Sequence, residues 1–196
     1  MMQDVELKNN YAFTLVKLIL FLFIFCFLLE FTSSFWREIR SREGFNINIF
    51  VFSGLCLFGC YHFLIDLNSY YRKIQRFFFR TPSVSYILPA ILIILAVGYF
   101  IIPKVLNSHF NKGFFIFFGG FIFTAHMVFV AKETKGYTFS TLVNYLFIIS
   151  ILYILNLFLL GFYFKIAFNV HLGKILISGL NDGAMSIKGV FSQFLH

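Results

Sequence analysis

Apolar residues fall into five long runs that alternate with short polar segments. The runs cover about residues 11–35, 47–65, 84–102, 113–131 and 139–164. A helix needs about 20 mostly apolar residues to cross the hydrocarbon core of a bilayer, and each run is near that length. The pattern therefore predicts an all-α fold, a polytopic membrane helix bundle with about five transmembrane helices within residues 1–173. Because the connections are short, we expect consecutive helices to pack as antiparallel neighbours.

Residues 174–196 follow a different pattern, in which apolar residues recur at helical spacing along one face. This pattern is typical of an amphipathic helix that lies on a bilayer or docks on a partner protein. Gly179, Gly183 and Gly189 lower the stability of such a helix in isolation. We therefore expect the surface beneath it to stabilise it, and we treat residues 174–196 as a separate interfacial or docking segment.

Prolines and polar residues mark the ends of several runs. Pro82 stands where the third run can begin as a helix, and Pro89, in the second turn, predicts a kink. Pro103 is expected to end the same helix. Residues 1–10 are mostly polar, and the run after them is too long for the apolar core of a signal peptide. We expect the first run to be retained as a membrane anchor.

The composition favours a membrane protein over other classes. Of 196 residues, 60% are hydrophobic and 12% are charged, whereas soluble domains are usually about a quarter charged. The net charge of +8 lies in short clusters between the runs, which is typical of loops beside lipid headgroups and not of a surface that binds nucleic acid. We expect the densest cluster to contact lipid headgroups or a partner; it consists of Arg72, Lys73, Arg76 and Arg80. The expected location is a bacterial inner membrane or an organellar membrane.

Polar residues inside the apolar runs are candidates for function, because ionisable groups are costly in a membrane. Gly59, His62 and Asp66 project from one face of the second run. A carboxylate one turn from an imidazole can fix the imidazole's tautomer, as in proton relays and around bound metals. The alternative is that His62 and Asp66 lie at the helix end among headgroups, where water solvates both.

His126 lies in the fourth run, which we expect to point in the same direction as the second. His62 and His126 are at similar distances from the ends of their runs, so the two imidazoles can sit at similar depth. This arrangement permits axial ligation of a haem, but the spacing is not specific. The sequence predicts no cofactor and no metal site.

Three further polar residues lie near the ends of runs: Glu30 in the first, and Lys165 and Asn169 on one face after the last. Glu30 is a transport carboxylate or an interfacial residue, and Lys165 can extend its amine to the interface. The segment from Lys165 to Gly173 distantly resembles the Arg-, Asn- and Gly-His-bearing helix of stator subunit a of rotary ATP synthases. That family has Arg where Lys165 stands and His or an acid where Lys174 stands, so we do not assign the chain to it.

Small residues on the fourth run predict close helix packing. Gly113, Gly120 and Thr124 share one face, and the spacing of Gly120 and Thr124 is a small-xxx-small pattern that lets two helices approach closely. This face is expected to pack within the bundle or against another subunit.

Three functions remain open. The sequence contains no HExxH, Gly-x-Ser-x-Gly or dinucleotide-binding motif, so no enzyme is predicted. The first function is a non-catalytic integral membrane subunit of a larger complex in transport, secretion or energy transduction, with the bilayer and other membrane subunits as partners. The second is a small oligomeric channel or carrier whose path is lined by the Gly59 face. The third is a haem- or quinone-associated electron-transfer subunit.

Overall fold

The structure is a computed structural model that describes residues 2–63, 67–106, 111–135 and 139–194. Within these ranges the regular secondary structure is entirely helical, which confirms the all-α prediction. The helices in chain order are α1 (Met2–Arg40), α2 (Ile47–Phe63), α3 (Leu67–Phe78), α4 (Pro82–Ile87), α5 (Ala90–Leu106), α6 (Lys112–Thr134), α7 (Phe139–Phe168) and α8 (Leu172–Phe194).

Three helices in the described ranges are long and apolar enough to cross a membrane. The qualifying segments are Tyr11–Arg40 in α1, Lys112–Thr134 in α6 and Thr141–Phe168 in α7. The helices α2 and α3, whose axes differ by 110°, add a fourth span if they count as one broken span. The apolar part of α5, Ala90–Ile102, is shorter. A helical bundle with membrane-spanning segments is therefore supported, and the count of five spans stays a prediction.

The third predicted span, residues 84–102, is interrupted at Pro89. Leu88 has an extended backbone with φ −104° and ψ 112°, so α4 ends at Ile87 and α5 begins at Ala90. Proline disfavours a helical conformation in the residue before it, and at this position the result is a break where the sequence predicted a kink. Pro103 does not end α5, which continues to Leu106.

The first, fourth and fifth predicted spans are longer in the structure. The first helix reaches Arg40, although the segment after Phe35 was expected to be a loop. Phe35 and Ile39 are almost fully buried in the bundle core, whereas Arg37 and Arg40 are exposed, so burial of one face stabilises this segment as a helix. Similarly, α7 reaches Phe168 and α8 begins at Leu172.

The helix α6 is the centre of the bundle. In its most apolar window 56% of the residues are buried, against 6% in α1. On one side it packs against α7, where the rings of Phe115 and Tyr163 stack at 3.9 Å. On the other side it packs against α2, with Gly54 beside Thr124 and Gly120 so close to Phe50 that an added Cβ would lie 2.9 Å from its carbonyl oxygen. The small-residue face of α6 therefore lies against α2 within the chain.

The tail helix α8 packs along α1, and this is the most extensive helix contact in the described structure. The two helices are antiparallel, since Gly179 lies on Phe31 and Gly183 lies on Phe27. A Cβ on either glycine would collide with the phenylalanine ring beneath it. The glycines that weaken α8 in isolation therefore allow its backbone to approach α1. Whether α8 also contacts a bilayer or a partner stays a prediction.

Candidate functional site

A network of buried polar groups joins α3, α4, α5 and α6 around His126. His126 is fully buried, and its Nε2 lies 3.0 Å from the Tyr86 carbonyl oxygen. A carbonyl oxygen only accepts, so Nε2 carries the proton and Nδ1 accepts. The Tyr71 hydroxyl lies 3.0 Å from Nδ1, and the Gln75 Nε2 lies 2.9 Å from the same nitrogen.

The Gln75 amide links this network to the break at Pro89. Its Oε1 accepts a hydrogen bond of 3.1 Å from the Ala90 backbone N–H. Its Nε2 lies 3.3 Å from the Leu88 carbonyl oxygen and 3.2 Å from the Tyr71 hydroxyl oxygen. The side chain thus replaces, on both sides of the proline, the backbone partners that a continuous helix would provide. Because a buried backbone group without a partner costs about 1–3 kcal/mol, Gln75 makes the break tolerable.

One set of proton positions uses every donor in the network. Gln75 donates to Tyr71 and to the Leu88 carbonyl, Tyr71 donates to Nδ1 of His126, and His126 donates to the Tyr86 carbonyl. Each of these groups is neutral, which matches its depth in the protein. Both ring nitrogens of His126 are occupied by partners from its own chain, so neither offers a free lone pair to a metal. These hydrogen bonds hold α3, α4, α5 and α6 together.

A second polar cluster surrounds Glu38 at the opposite end of the bundle. The Glu38 side chain is 2% exposed and forms an ion pair with Arg42, one turn later on the chain. Its other oxygen lies 3.4 Å from the Lys174 ammonium at the start of α8. The His171 backbone N–H donates to Glu38 Oε1 at 3.2 Å, and the His171 ring contacts the Arg42 guanidinium. One carboxylate therefore ties the end of α1 to the loop between α7 and α8.

The Gly59 and His62 face of α2 does not pack against the rest of the described chain. His62 is exposed and stacks edge-on with Phe63, at 5.0 Å between ring centroids. A Cβ added to Gly59 would meet no atom within 4 Å. Asp66 lies outside the described residues. Contacts between the neighbouring helices confirm that α2 and α6 run in the same direction, yet His126 is engaged by α3 and α4.

Glu30, Lys165 and Asn169 occupy separate positions. Glu30 accepts a hydrogen bond of 2.8 Å from the Ser186 hydroxyl, which connects α1 to α8. Asn169 has a φ of 51° and donates its backbone N–H to the Lys165 carbonyl, so it terminates α7 in a left-handed conformation that Asn tolerates. Lys165 is exposed beside this turn.

The four basic residues in and just after α3 have different surroundings. Arg72 forms an ion pair with Glu133 of α6, and the Lys73 ammonium lies 5.7 Å from the Tyr70 ring centroid. Arg76 and Arg80 line a cavity of about 350 Å³ beside Tyr86. The contact with lipid or protein predicted for this cluster is not tested by these pairings.

Sequence reasoning missed the residues that matter most in both clusters. Tyr71 and Gln75 are one turn apart on α3, so they share a face, but they lie within a basic segment that was interpreted as interfacial. Glu38 and Arg42 belong to the segment after Phe35 that was expected to be a loop; Glu38 lies in α1, whereas Arg42 lies in the turn that follows it. Their importance depends on partners 129 or more residues away along the chain for the Glu38 cluster, and spacing within one segment carries no such information.

The fold and its apolar segments fit the class of helical membrane proteins. No protein-family model matches the chain, and no significant similarity to a curated protein or to a solved structure was found. Among the described residues, no group of three or more His, Cys, Asp or Glu side chains is arranged to hold a metal ion.

Proposed function

We propose that the protein is a non-catalytic integral membrane subunit of a larger membrane complex. The observation that carries this proposal is the apolar outer side of α1, which packs on α7 and α8 with its other faces and leaves large side chains such as Leu20, Leu22 and Leu29 exposed. A helix this long and apolar needs lipid or another protein around it. In a subunit of a complex, part of that surface is the contact with its neighbours.

The state of the buried polar groups also supports this proposal. His126 and Gln75 have partners within the chain, and Glu38 is surrounded by cations of the same chain. A catalytic or transport group needs a free lone pair or a path to a ligand, whereas His126 and Gln75 form hydrogen bonds between helices and Glu38 is ion-paired with Arg42 and Lys174. The outer surface then remains as the part of the molecule that can act on something else.

Site-specific photocrosslinking tests the proposal directly. A photoreactive amino acid at Leu20 or Leu29, both exposed on α1, should give discrete adducts with other membrane proteins when the protein is expressed in its native membrane. Phe118, an exposed apolar residue on α6, is the matched control and should give mainly lipid adducts. The subunit proposal would be contradicted if neither α1 position gave protein adducts and if the mildly solubilised protein had the mass of this chain alone or of its own oligomer.

A second candidate is a small oligomeric channel or carrier. The observation that favours it is the open face of α2, where His62 is exposed and nothing lies within 4 Å of a Cβ added to Gly59. In an oligomer, this face can line a shared path. Crosslinks that join copies of this chain through a cysteine placed at position 59, in a closed ring of fixed size, would favour this candidate over a mixed complex.

A haem-associated subunit receives less support. His126 would have to give up a hydrogen bond to Tyr71 and Gln75, or to Tyr86, before either ring nitrogen could bind iron. An absorption spectrum of the natively purified protein tests this third function, because a haem band would require the network around His126 to rearrange.

A further inference from the structure

We propose that the protein binds one anionic phospholipid between α5 and α7, with its headgroup held by Lys165, Arg42 and Lys174. The inference does not depend on any protein partner. It rests on two adjoining surfaces of different chemistry that share one residue, Lys165.

The first surface is an apolar groove of about 570 Å³ between α5 and α7. Its walls include Leu92, Ala96 and Phe100 of α5, and Leu159 and Phe162 of α7. The groove is open along one side and, among its lining residues, Lys165 alone carries a charge. An elongated apolar groove on a bundle that spans a membrane fits an acyl chain, because the chain's methylene groups can fill it without leaving any polar group unpaired.

The second surface is a basic pocket of about 590 Å³ around the turn between α7 and α8. Arg42, Lys165, His171 and Lys174 line it, and no carboxylate is among its lining residues. Glu38 lies beneath, where it pairs with Arg42 and Lys174 and holds both cations at the edge of the pocket. Arg42, Lys165 and Lys174 line the pocket while a single carboxylate, that of Glu38, lies beneath it, so positive charge is in excess and attracts an anionic headgroup.

Lys165 connects the two surfaces. It is exposed, lies near the carboxyl-terminal end of α7 and lines both the groove and the basic pocket. It stands three residues before the end of the candidate span Thr141–Phe168, so if this helix spans a bilayer, Lys165 is near the level where headgroup phosphates meet the hydrocarbon core. A lysine at this position can pair with a phosphate while the attached acyl chain follows α7 into the groove.

This combination favours a lipid over the other ligands of a basic pocket. A free phosphate would use the cations but leave the groove empty, whereas an apolar ligand would use the groove and leave the cations without a partner. Both volumes lie within the range of about 300–1,000 Å³ that is typical of ligand sites. A phospholipid with a net negative charge satisfies both surfaces with one molecule.

The test is native mass spectrometry of the protein released from nanodiscs that contain equal amounts of phosphatidylcholine and phosphatidylglycerol. We expect the protein to retain phosphatidylglycerol in preference to phosphatidylcholine. Since a lysine near an anionic surface contributes about fivefold to binding, the double variant Lys165→Gln and Lys174→Gln should lose most of that preference. Both side chains are exposed, and after the substitution Glu38 keeps its ion pair with Arg42 and its hydrogen bond from the His171 N–H.

The matched control removes the same charge elsewhere. Arg40→Gln with Lys188→Gln changes two exposed cations that line neither surface, and it should retain the preference. Equal loss in the control would overturn the proposal, since it would show attraction to the whole basic protein. Wild-type protein with no preference would overturn it as well.

A second pair of variants tests the groove. Ala96→Trp fills it and should reduce retained lipid of both kinds, whereas Val51→Trp, on the exposed surface of α2, should not. Millimolar inorganic phosphate should not displace phosphatidylglycerol. If it does, or if Ala96→Trp retains as much lipid as Val51→Trp, the site is one for small anions and the lipid proposal is wrong.

Discussion

The two polar clusters of this protein hold helices together by different physical means. The network around His126 is made of neutral groups and closes a helix break inside the bundle. The cluster around Glu38 is made of charges and lies at the end of α1, with one side buried and the other in contact with the surroundings. Lys174 is 72% exposed, although the carboxylate that it contacts is 2% exposed.

The difference follows from the cost of burying charge. Neutral donors and acceptors can be buried at little net cost when all are paired, so they can link helices at depth. Charges need water or lipid headgroups on one side, because full desolvation costs several kcal/mol per ion. The protein therefore uses amides, a phenol and an imidazole inside and ion pairs at the end. The following predictions test this contrast, from the largest expected effect to the smallest.

Removal of the Glu38 charge should have the largest effect on stability. Glu38→Gln leaves Arg42 and Lys174 without their counterion, and we expect a loss of about 3 kcal/mol in the free energy of unfolding, reduced from a fully buried pair because the cations are partly solvated. The measurement is unfolding by SDS in detergent micelles, followed by the fluorescence of the single tryptophan, Trp36, which packs against Phe50. The control is Glu43→Gln, at an exposed position, and an equal loss there would refute the prediction.

Removal of the Gln75 amide should cost about 2 kcal/mol. Gln75→Leu leaves the buried Ala90 N–H without its acceptor and the Leu88 carbonyl without its donor, and each such group costs about 1–3 kcal/mol, partly offset by the added apolar contact. Gln193→Leu, on the exposed side of α8, is the control. The same fluorescence assay applies. If Gln75→Leu and the wild-type protein unfold at the same SDS mole fraction, the Gln75 hydrogen bonds do not stabilise the break at Pro89.

A methyl group added between α1 and α8 should destabilise the α8 side of the molecule without affecting the His126 network. Gly183→Ala would place its Cβ against the Phe27 ring, and we expect a loss of about 1–2 kcal/mol from overpacking. Gly189→Ala, at a position where nothing lies within 4 Å of an added Cβ, should be neutral or slightly stabilising because alanine favours helix. The clearest measurement is hydrogen exchange of α8, which should increase in Gly183→Ala without a change in α3. Equal exchange in both variants would argue against close packing as the role of Gly183.

Ionic strength should produce the smallest effect. Between about 0.01 and 1 M salt the screening length falls from about 30 to 3 Å, so the partly exposed Glu38 cluster should weaken by less than about 1 kcal/mol. This dependence should be smaller in Glu38→Gln and unchanged in Gln75→Leu, because the His126 network carries no charge. Salt dependence that is equal in the two variants would mean that the charged cluster is not its source.

The sequence predicted the all-helical bundle because that outcome depends on apolar content and run length, which are local properties. It also predicted a kink at Pro89, where the structure has a break, since proline acts on its own neighbours. It did not predict that Gln75 forms hydrogen bonds with the backbone groups on either side of that break. Gln75 is 13 residues from Leu88 and 51 from His126, and only the return of α3 towards α5 and α6 brings these groups together.

The glycines of α8 also show that local sequence does not reveal long-range packing. By propensity alone Gly179 and Gly183 weaken the helix, whereas their packing on Phe31 and Phe27 gives them a positive role. Local composition determined that the chain is helical, apolar and basic between its apolar runs. The tertiary structure alone decided which polar groups are paired and which surfaces stay open, because burial and hydrogen bonding depend on neighbours that lie far apart along the chain.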